Sequence, residues 1–275
     1  MQCAVVIRQH LARTNEVLNV LTALRRGCGT LYLPADWARA GELSWSEKLP
    51  EELDLVATLG GDGTLLIAAR LLAGRDVPIF GINLGTLGFL TEINPAEVAD
   101  ELASFRAGTA KVEARMLLTA DWPGAPQPVT ALNEVALVAD NYPSMLNLTT
   151  AIDGEELSRL RGDGLIIATP TGSTAHSLSA GGSVLEPSLE TLLLTPVCPH
   201  TFSLRPLAVS AEHELSVAVA DPSTGALVRC DGRVAGKLAA GETLTVRRAA
   251  GRVKIILSGR RSFFAVLKQK LGWGE

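Results

Sequence analysis

The chain opens with short apolar runs that alternate with stretches of helical periodicity. Ala4 to Ile7 has the length and β-branched character of a buried strand. Asn15 to Leu24 then places Val17, Leu18, Val20, Leu21 and Leu24 at spacings suited to one helical face, and Arg25-Arg26-Gly27 ends it with cations and a glycine. Leu53 to Leu59 is a second apolar run, followed by a glycine turn and a helix from about Thr64 to Leu72; Pro78 to Ile82 is a third strand. Asn94-Pro95 reads as a helix start, since asparagine can cap free amides and proline fits the first helical position. Val98, Leu102 and Phe105 continue that face and Gly108 closes it. Strands alternating with helices predict a parallel sheet.

From Lys111 the texture changes to alternating and β-branched runs: Val112 to Ala120, Val129 to Val138, Leu146 to Ile152, Leu165 to Ala168, Leu207 to Val219 and Leu244 to Arg247. Gly, Pro, Asp and Asn clusters separate them, as expected of antiparallel strands. Val253 to Leu257 reads as a strand and Ser262 to Leu271 as a helix. The predicted architecture is α/β: an N-terminal Rossmann-like α/β domain over residues 1–108, completed by the tail 259–275, plus a β-rich C-terminal domain over 109–258.

Composition narrows the possibilities. With 275 residues, 47% hydrophobic and 20% charged, the chain can bury a sizeable core. A formal net charge of -4 argues against a surface built for nucleic acid or for anionic lipid. No apolar stretch reaches the roughly 18 residues that cross a bilayer, and Met1 to Ile7 lacks the basic start of a signal peptide, so a cytoplasmic protein without a membrane partner is expected. Cys3, Cys28, Cys198 and Cys230 are scattered without a CxxC pair or a histidine at ligand spacing, and read as reduced thiols rather than a zinc site.

The turn Gly60-Gly61-Asp62-Gly63-Thr64 carries the chemistry. Residues without a β-carbon let backbone amides approach a ligand closely, and the helix that follows points unpaired amides and the positive end of its dipole at the turn. Gly60, Gly61, Gly63 and Thr64 are therefore the expected phosphate-binding residues. Neither GxxxxGK[ST] nor GxGxxG is present. Asp62 is the informative residue, because a carboxylate beside phosphate is repelled unless a cation or a reacting proton is involved. It can accept the proton of an attacking hydroxyl, help hold Mg2+ indirectly, or simply cap the helix near Thr64.

Beyond the turn, Leu-Gly-Phe-Leu at 87–90, Asn133-Glu134, the block from Asp163 through Thr169-Pro170-Thr171-Gly172-Ser173-Thr174-Ala175 to Gly182, Thr195 to His200, Asp231-Gly232 and the ending Phe263 to Trp273 stand in the order in which they occur in the NAD kinase family, which this chain resembles over most of its length. The resemblance implies phosphorylation of the 2'-hydroxyl of the adenosine ribose of NAD+ by ATP with a divalent cation, Mg2+ in the first instance, no direct protein ligand to that metal, and a homodimer or homotetramer. Asp62 resembles the family's proton acceptor, with Gly63 beside it against the dinucleotide. Asn133 and Glu134 resemble the pair that engages the adenosine end. On the residues alone, that pair would read as solvent-facing. Asp163 resembles the carboxylate that orients the nicotinamide end, where Gly162-Asp163-Gly164 alone reads as a plain turn. Thr174, Ala175, His176, Ser177, Leu178 and Ser179 resemble the segment that wraps NAD with small side chains, and Phe89 a residue of the adenine pocket. His176 replaces the tyrosine common in the family, Arg233 its frequent glutamine, and Arg161 lies at a variable position where a base accompanies preference for NAD+ over NADH. Two other classes share features with this chain: lipid kinases of the diacylglycerol and sphingosine type, which carry the same glycine turn but need a membrane-docking surface, and a non-catalytic NADP-binding protein, which would not need Asp62.

Overall fold

Each apolar run at the start of the chain forms a strand covered on both faces, and the amphipathic stretches between them supply the cover. The computed structural model describes residues 1–8, 11–39, 42–72, 74–140, 145–200, 203–220 and 225–274. They divide into two units, Met1–Ala114 with Val253–Glu275, and Arg115–Arg252. In the first, β1 (Gln2–Ile7), α1 (Asn15–Cys28), β2 (Thr30–Pro34), β3 (Ser44–Trp45), β4 (Leu55–Gly60), α2 (Asp62–Leu72), β5 (Ile79–Asn83) and α3 (Val98–Arg106) build a sheet of order β5-β4-β1-β2-β3 in which every pair is parallel. Val17, Val20, Leu21 and Leu24 of α1 are buried with Val5, Leu59 and Phe80 of the sheet, each such side chain contributing about 1.5–3 kcal/mol.

The first unit departs from the sequence expectations in several details: β2 and β3 are strands that the sequence reading did not predict, so Pro78 to Ile82 falls in the fifth strand and not the third. Gly27 lies inside α1, where a β-carbon would overlap the Leu102 side chain of α3, so this glycine serves close helix packing. The helix is closed by Gly29 at φ 76, whose amide bonds back to the Arg25 carbonyl at 3.3 Å. Asn94-Pro95 does open a helical segment, first as a 3-10 turn over Pro95–Glu97, with the Glu97 carboxylate accepting the Asn94 amide at 2.9 Å.

The second unit contains β6 (Lys111–Asp121), β7 (Val129–Ala131), β8 (Glu134–Ala139), β9 (Leu146–Ile152), β10 (Glu155–Gly162), β11 (Gly164–Ala168), α4 (His176–Ser179), β12 (Thr191–Val197), β13 (Leu207–Ser210), β14 (Leu215–Val219), β15 (Ala226–Cys230), β16 (Arg233–Leu238) and the first part of β17 (Thr243–Leu257). β13-β12-β11-β8-β15-β16 form one antiparallel sheet; β10-β9-β14-β17 form a second antiparallel run, with β6 and β7 beside it. Alternate residues point inward, as in β9 and β15, so that Leu118, Leu148, Val217 and Leu244 share one core with Leu137, Leu165, Leu192 and Val228.

The run read as Val129 to Val138 is two strands, broken at Leu132-Asn133, and Leu207 to Val219 is likewise two. Conversely Leu244 to Arg247 and Val253 to Leu257 belong to the single strand β17, the small residues Ala249-Ala250-Gly251 having disguised its continuity. Its last residues return to the first unit, Ile255 and Ile256 pairing in parallel with Ile79 and Phe80 of β5. The chain ends on α5 (Phe263–Leu271), whose N-cap Ser262 accepts the Ala265 amide at 3.2 Å.

Candidate functional site

At the carboxyl end of β4 the glycines of the turn have two separate causes. A β-carbon on Gly60 would overlap the Thr64 side chain and lie 3.0 Å from the β-carbon of Arg8, so Gly60 is required by packing. Gly61 and Gly63 have nothing within 4 Å of where a β-carbon would stand. The bare backbone there faces open space at the first turn of α2, the arrangement that admits a phosphate.

Asp62 does not cap the helix near Thr64. The helix begins at Asp62 itself, and the carboxylate turns to a segment far along the chain. Its Oδ2 accepts the Phe89 amide at 2.8 Å; its Oδ1 accepts the Leu90 amide at 3.0 Å, the Thr91 amide at 2.9 Å and the Thr91 hydroxyl at 2.9 Å. Four donors fix the plane of the carboxylate, and Oδ2, with one donor, keeps the larger share of free acceptor capacity. A β-carbon on Gly88 would overlap both the Asp62 carboxylate and the Thr91 hydroxyl. The loop is in turn folded by Asn83 at the end of β5: its amide group donates to the Thr86 carbonyl at 2.7 Å and the Thr91 carbonyl at 3.0 Å, and its Oδ1 accepts the Gly85 amide at 2.7 Å. Asn83, Gly88 and Thr91, which shape the loop around Asp62, are residues that sequence reasoning did not single out. Gly88, inside the Leu-Gly-Phe-Leu motif, was their one visible signal.

In the second unit Asn133 and Glu134 are buried, not solvent-facing as the residues alone suggest. They lie at the break between β7 and β8, where the chain leaves the ladder and its amides need other partners. Asp231, at φ 48 in the turn between β15 and β16, supplies them: its carboxylate accepts the amides of Leu132 at 2.9 Å, Asn133 at 2.7 Å and Glu134 at 3.3 Å. Burial and then the negative charge of Asp231 push the Glu134 carboxyl up to about 7, opposed by the Gly232 amide. Glu134 Oε2 is buried with no hydrogen-bond partner among the described residues, an acceptor suited to a hydroxyl or amino group brought by a ligand.

Gly172 brings the small-residue segment against this pair, since a β-carbon there would overlap the Asn133 backbone. Thr169 pins the contact, its amide reaching the Asn133 carbonyl at 2.8 Å and its hydroxyl the Leu132 carbonyl at 2.6 Å. Thr174, Ala175 and Leu178 are half-buried, and His176 and Ser179 exposed. Ser177 is fully buried and its hydroxyl is paired with that of Thr195 at 2.8 Å, so its side chain is committed to the fold.

Asp163 lies at the other end of β11: Ala168 pairs with Glu134, whereas Gly164 pairs with Val138, four residues or about 13 Å away along the strand. Asp163 is exposed, and its hydrogen bond and charge push the Cys198 thiol up. Arg161 and Arg233 are exposed as well, and the Arg161 carbonyl accepts the His200 amide at 2.9 Å. Among the described residues no three His, Cys, Asp or Glu side chains gather as a metal site, and no helix is long and apolar enough to cross a membrane.

The ATP-NAD kinase N-terminal domain matches residues 10–110 of this chain, and the ATP-NAD kinase C-terminal domain matches residues 132–258. The NAD kinase of Geobacter metallireducens is 39% identical over 233 residues, 84% of this chain and 82% of its own. That of Geotalea daltonii is 38% identical over 258 residues, 92% and 90% of the two chains. Among solved structures, an NAD kinase from Archaeoglobus fulgidus in complex with ATP superposes with a TM-score of 0.77 at 29% identity, covering 99% of this chain and 98% of that one. Yeast NADH kinase complexed with NADH has the same fold, with a TM-score of 0.89 at 24% identity over 100% of this chain and 88% of its own.

Proposed function

This chain belongs to the NAD kinase family, and from that premise we propose how its own residues transfer the terminal phosphoryl group of ATP to the 2'-hydroxyl of the adenosine ribose of NAD+, giving NADP+. The observation that carries the proposal is the Asp62 carboxylate, held rigid by the amides of residues 89–91 beside the open backbone of Gly61 and Gly63.

The turn Gly60, Gly61, Gly63 and Thr64 cradles the phosphates of ATP at the positive end of the α2 dipole: Gly61 and Gly63 present the open backbone, while Gly60 packs behind it and the Thr64 amide closes the turn on the Gly61 carbonyl at 2.9 Å. The divalent cation, Mg2+ by family likeness, enters on those phosphates as part of the substrate. The crowded Oδ1 of Asp62 fits that arrangement better than direct ligation of the metal by the carboxylate. Asp62 Oδ2 accepts the proton of the ribose 2'-hydroxyl as the ribose oxygen bonds to the terminal phosphorus; the bond from that phosphorus to the bridging oxygen breaks, and ADP leaves with the electron pair.

Asn133 and Glu134 receive the adenosine end, Glu134 Oε2 meeting a donor from the ligand. Asp163 meets the nicotinamide end, and its separation from Glu134 along β11 suits an extended dinucleotide. Thr174, Ala175, His176, Leu178 and Ser179 line the ligand between them, Ser177 supporting the segment from inside; a role for Gly63 toward the dinucleotide rests on family likeness. Arg161 is exposed, and a preference for NAD+ over NADH rests on the family likeness of a basic residue at its position. A homodimer or homotetramer in the cytoplasm is supported by family likeness, and sedimentation of the purified protein measures the assembly.

Incubation with ATP, Mg2+ and NAD+ tests the reaction itself, NADP+ being the expected product. The Asp62→Asn protein is expected to bind NAD+ and lose most turnover; near-normal turnover removes Asp62 from its role. Phosphorylation of a diacylglycerol or sphingosine with none of NAD+ would reverse the assignment of acceptor, and bound dinucleotide without product would leave only a binding protein.

A further inference from the structure

The loop that holds Asp62 is gripped a second time, from the carboxyl-terminal tail. Arg261 Nη1 donates to the Glu92 carbonyl at 3.0 Å, one residue beyond Thr91. The same guanidinium forks onto Glu97, Nη2 to Oε1 at 3.1 Å and Nη1 to Oε2 at 3.3 Å, while Glu97 Oε2 also takes the Asn94 amide at 2.9 Å. Burial pushes the Glu97 carboxyl up, but the hydrogen bonds from Arg261 and Asn94 and the charges of Arg261 and Arg260 outweigh it and hold the group below its ordinary range. It is thus ionised and paired at neutral pH. A little further along the tail, the Phe263 ring lies 6.3 Å from that of Phe89, and Lys270 Nζ sits 4.7 Å over the Phe89 ring. Phe89 is the residue whose amide binds Asp62 Oδ2.

We propose that Arg261, with the tail helix α5, is a positioning residue for the phosphoryl transfer: it clamps residues 89–94 so that three amides and one hydroxyl stay aimed at the Asp62 carboxylate. The hydrogen bonds of Arg261 run to Glu92 and Glu97 and not to Asp62 itself, so it acts on the carboxylate through the loop. It fixes one end of the loop at Glu92, Asn83 fixes the other, and Asp62 is held by the residues between them. Arginine suits the task because one planar group must reach a carbonyl and both oxygens of a carboxylate; a lysine can satisfy only part of that set. Neighbouring Arg260 engages Asp100 at 3.0 Å and Glu101 at 3.7 Å on α3 and comes no nearer than 3.9 Å to Glu97, so it docks the tail chiefly on α3 and donates no hydrogen bond to the loop among the described residues.

This assignment rests on Asp62 as the proton acceptor. The test compares Arg261→Ala, Arg261→Lys, Arg260→Ala and Asp62→Asn in steady-state kinetics with ATP and NAD+, alongside amide hydrogen exchange of the full-length proteins. Arg261→Ala is expected to lower kcat roughly 10- to 100-fold with KM for both substrates within about threefold, the size of effect that a small misplacement of a reacting group produces. The amides of Phe89, Leu90 and Thr91 should exchange faster in that protein. Arg261→Lys should fall between Arg261→Ala and the parent, and Arg260→Ala should keep the parental kcat. A parental kcat in Arg261→Ala, a loss carried by KM alone, or an equal loss in Arg260→Ala overturns the proposal. If Arg261→Ala does not fold, Arg261→Lys decides: a several-fold lower kcat at unchanged KM supports the clamp, and a parental kcat removes it. Active Asp62→Asn would instead discard the reading of Asp62, whereas inactive Asp62→Asn with parental Arg261→Ala discards the clamp alone.

Discussion

Gly88 leaves the space that the Asp62 carboxylate fills: a β-carbon at 88 would fall on the carboxylate and on the Thr91 hydroxyl bonded to it. The two residues are 26 positions apart in the chain, yet the absence of a side chain at one is what permits the orientation of the other. Gly88→Ala is therefore expected to reduce kcat by about two orders of magnitude through displacement of Asp62, and to lower stability by about 1–3 kcal/mol through overpacking. Single-turnover kinetics and denaturant melts on the same preparation measure the two effects separately.

Gly61 makes the opposite prediction. Nothing lies within 4 Å of its absent β-carbon, so Gly61→Ala should leave stability within about 0.5 kcal/mol of the parent. The added methyl group would stand where phosphate approaches. KM for ATP is expected to rise tenfold or more while the affinity for NAD+ holds, and equilibrium titration with each nucleotide checks this.

How far these sites were legible in the sequence depended on the distance over which each signal acts. The start at Asn94-Pro95 and the stop at Gly108 could be read because capping is settled within one turn of chain. The apolar strands β1, β4 and β5 announced themselves by composition. The edge strand β16, with Lys237 and Arg233 among its exposed residues, did not, because one side of it is solvated and little of its side-chain surface is buried. Asp62 was visible as a carboxylate in a phosphate turn, but its donors come from residues 89–91, and no local pattern separates an aspartate that caps its own helix from one held by a remote loop. The burial of Asn133 and Glu134 was hidden for the same reason: it depends on Asp231, almost a hundred positions away.

The Glu134 carboxyl gives a prediction with a definite sign. Its pKa stands at about 7 in the folded chain against an ordinary 4.5, so the folded state binds the proton more tightly than the unfolded state. The cost of ionising it is absent at pH 4.5, grows between pH 4.5 and 7, and is complete above 7. At roughly 1.4 kcal/mol for each unit, that cost is on the order of 3 kcal/mol. Glu134→Gln, which carries no charge to desolvate, should be more stable than the parent at pH 8 by an amount of that order and nearly equal to it at pH 4.5. Urea denaturation at the two values checks it, and NAD+ affinity should fall in the variant at both.

Gly172→Ala should damage the same region from behind. The new β-carbon would meet the Asn133 backbone, which has no rotamer to move into. A loss of about 1–3 kcal/mol is expected, together with weaker NAD+ binding, measured by thermal melts and by calorimetric titration.

The strand β17 also sets an order of events during synthesis. A ribosome releases residues 1–114 first, and in that interval Ile79 and Phe80 at the edge of β5 lack the partners that Ile255 and Ile256 later provide. Arg261 emerges later still. The nascent chain therefore carries an unfinished sheet edge until Ile255 and Ile256 have been translated, and a polypeptide released before residue 261 holds Asp62 in a loop that keeps its Asn83 contacts but lacks the Arg261 clamp. Translation must pass residue 261 before the carboxylate is locked in place, so chains terminated ahead of it should reach the cell's quality-control machinery without working first.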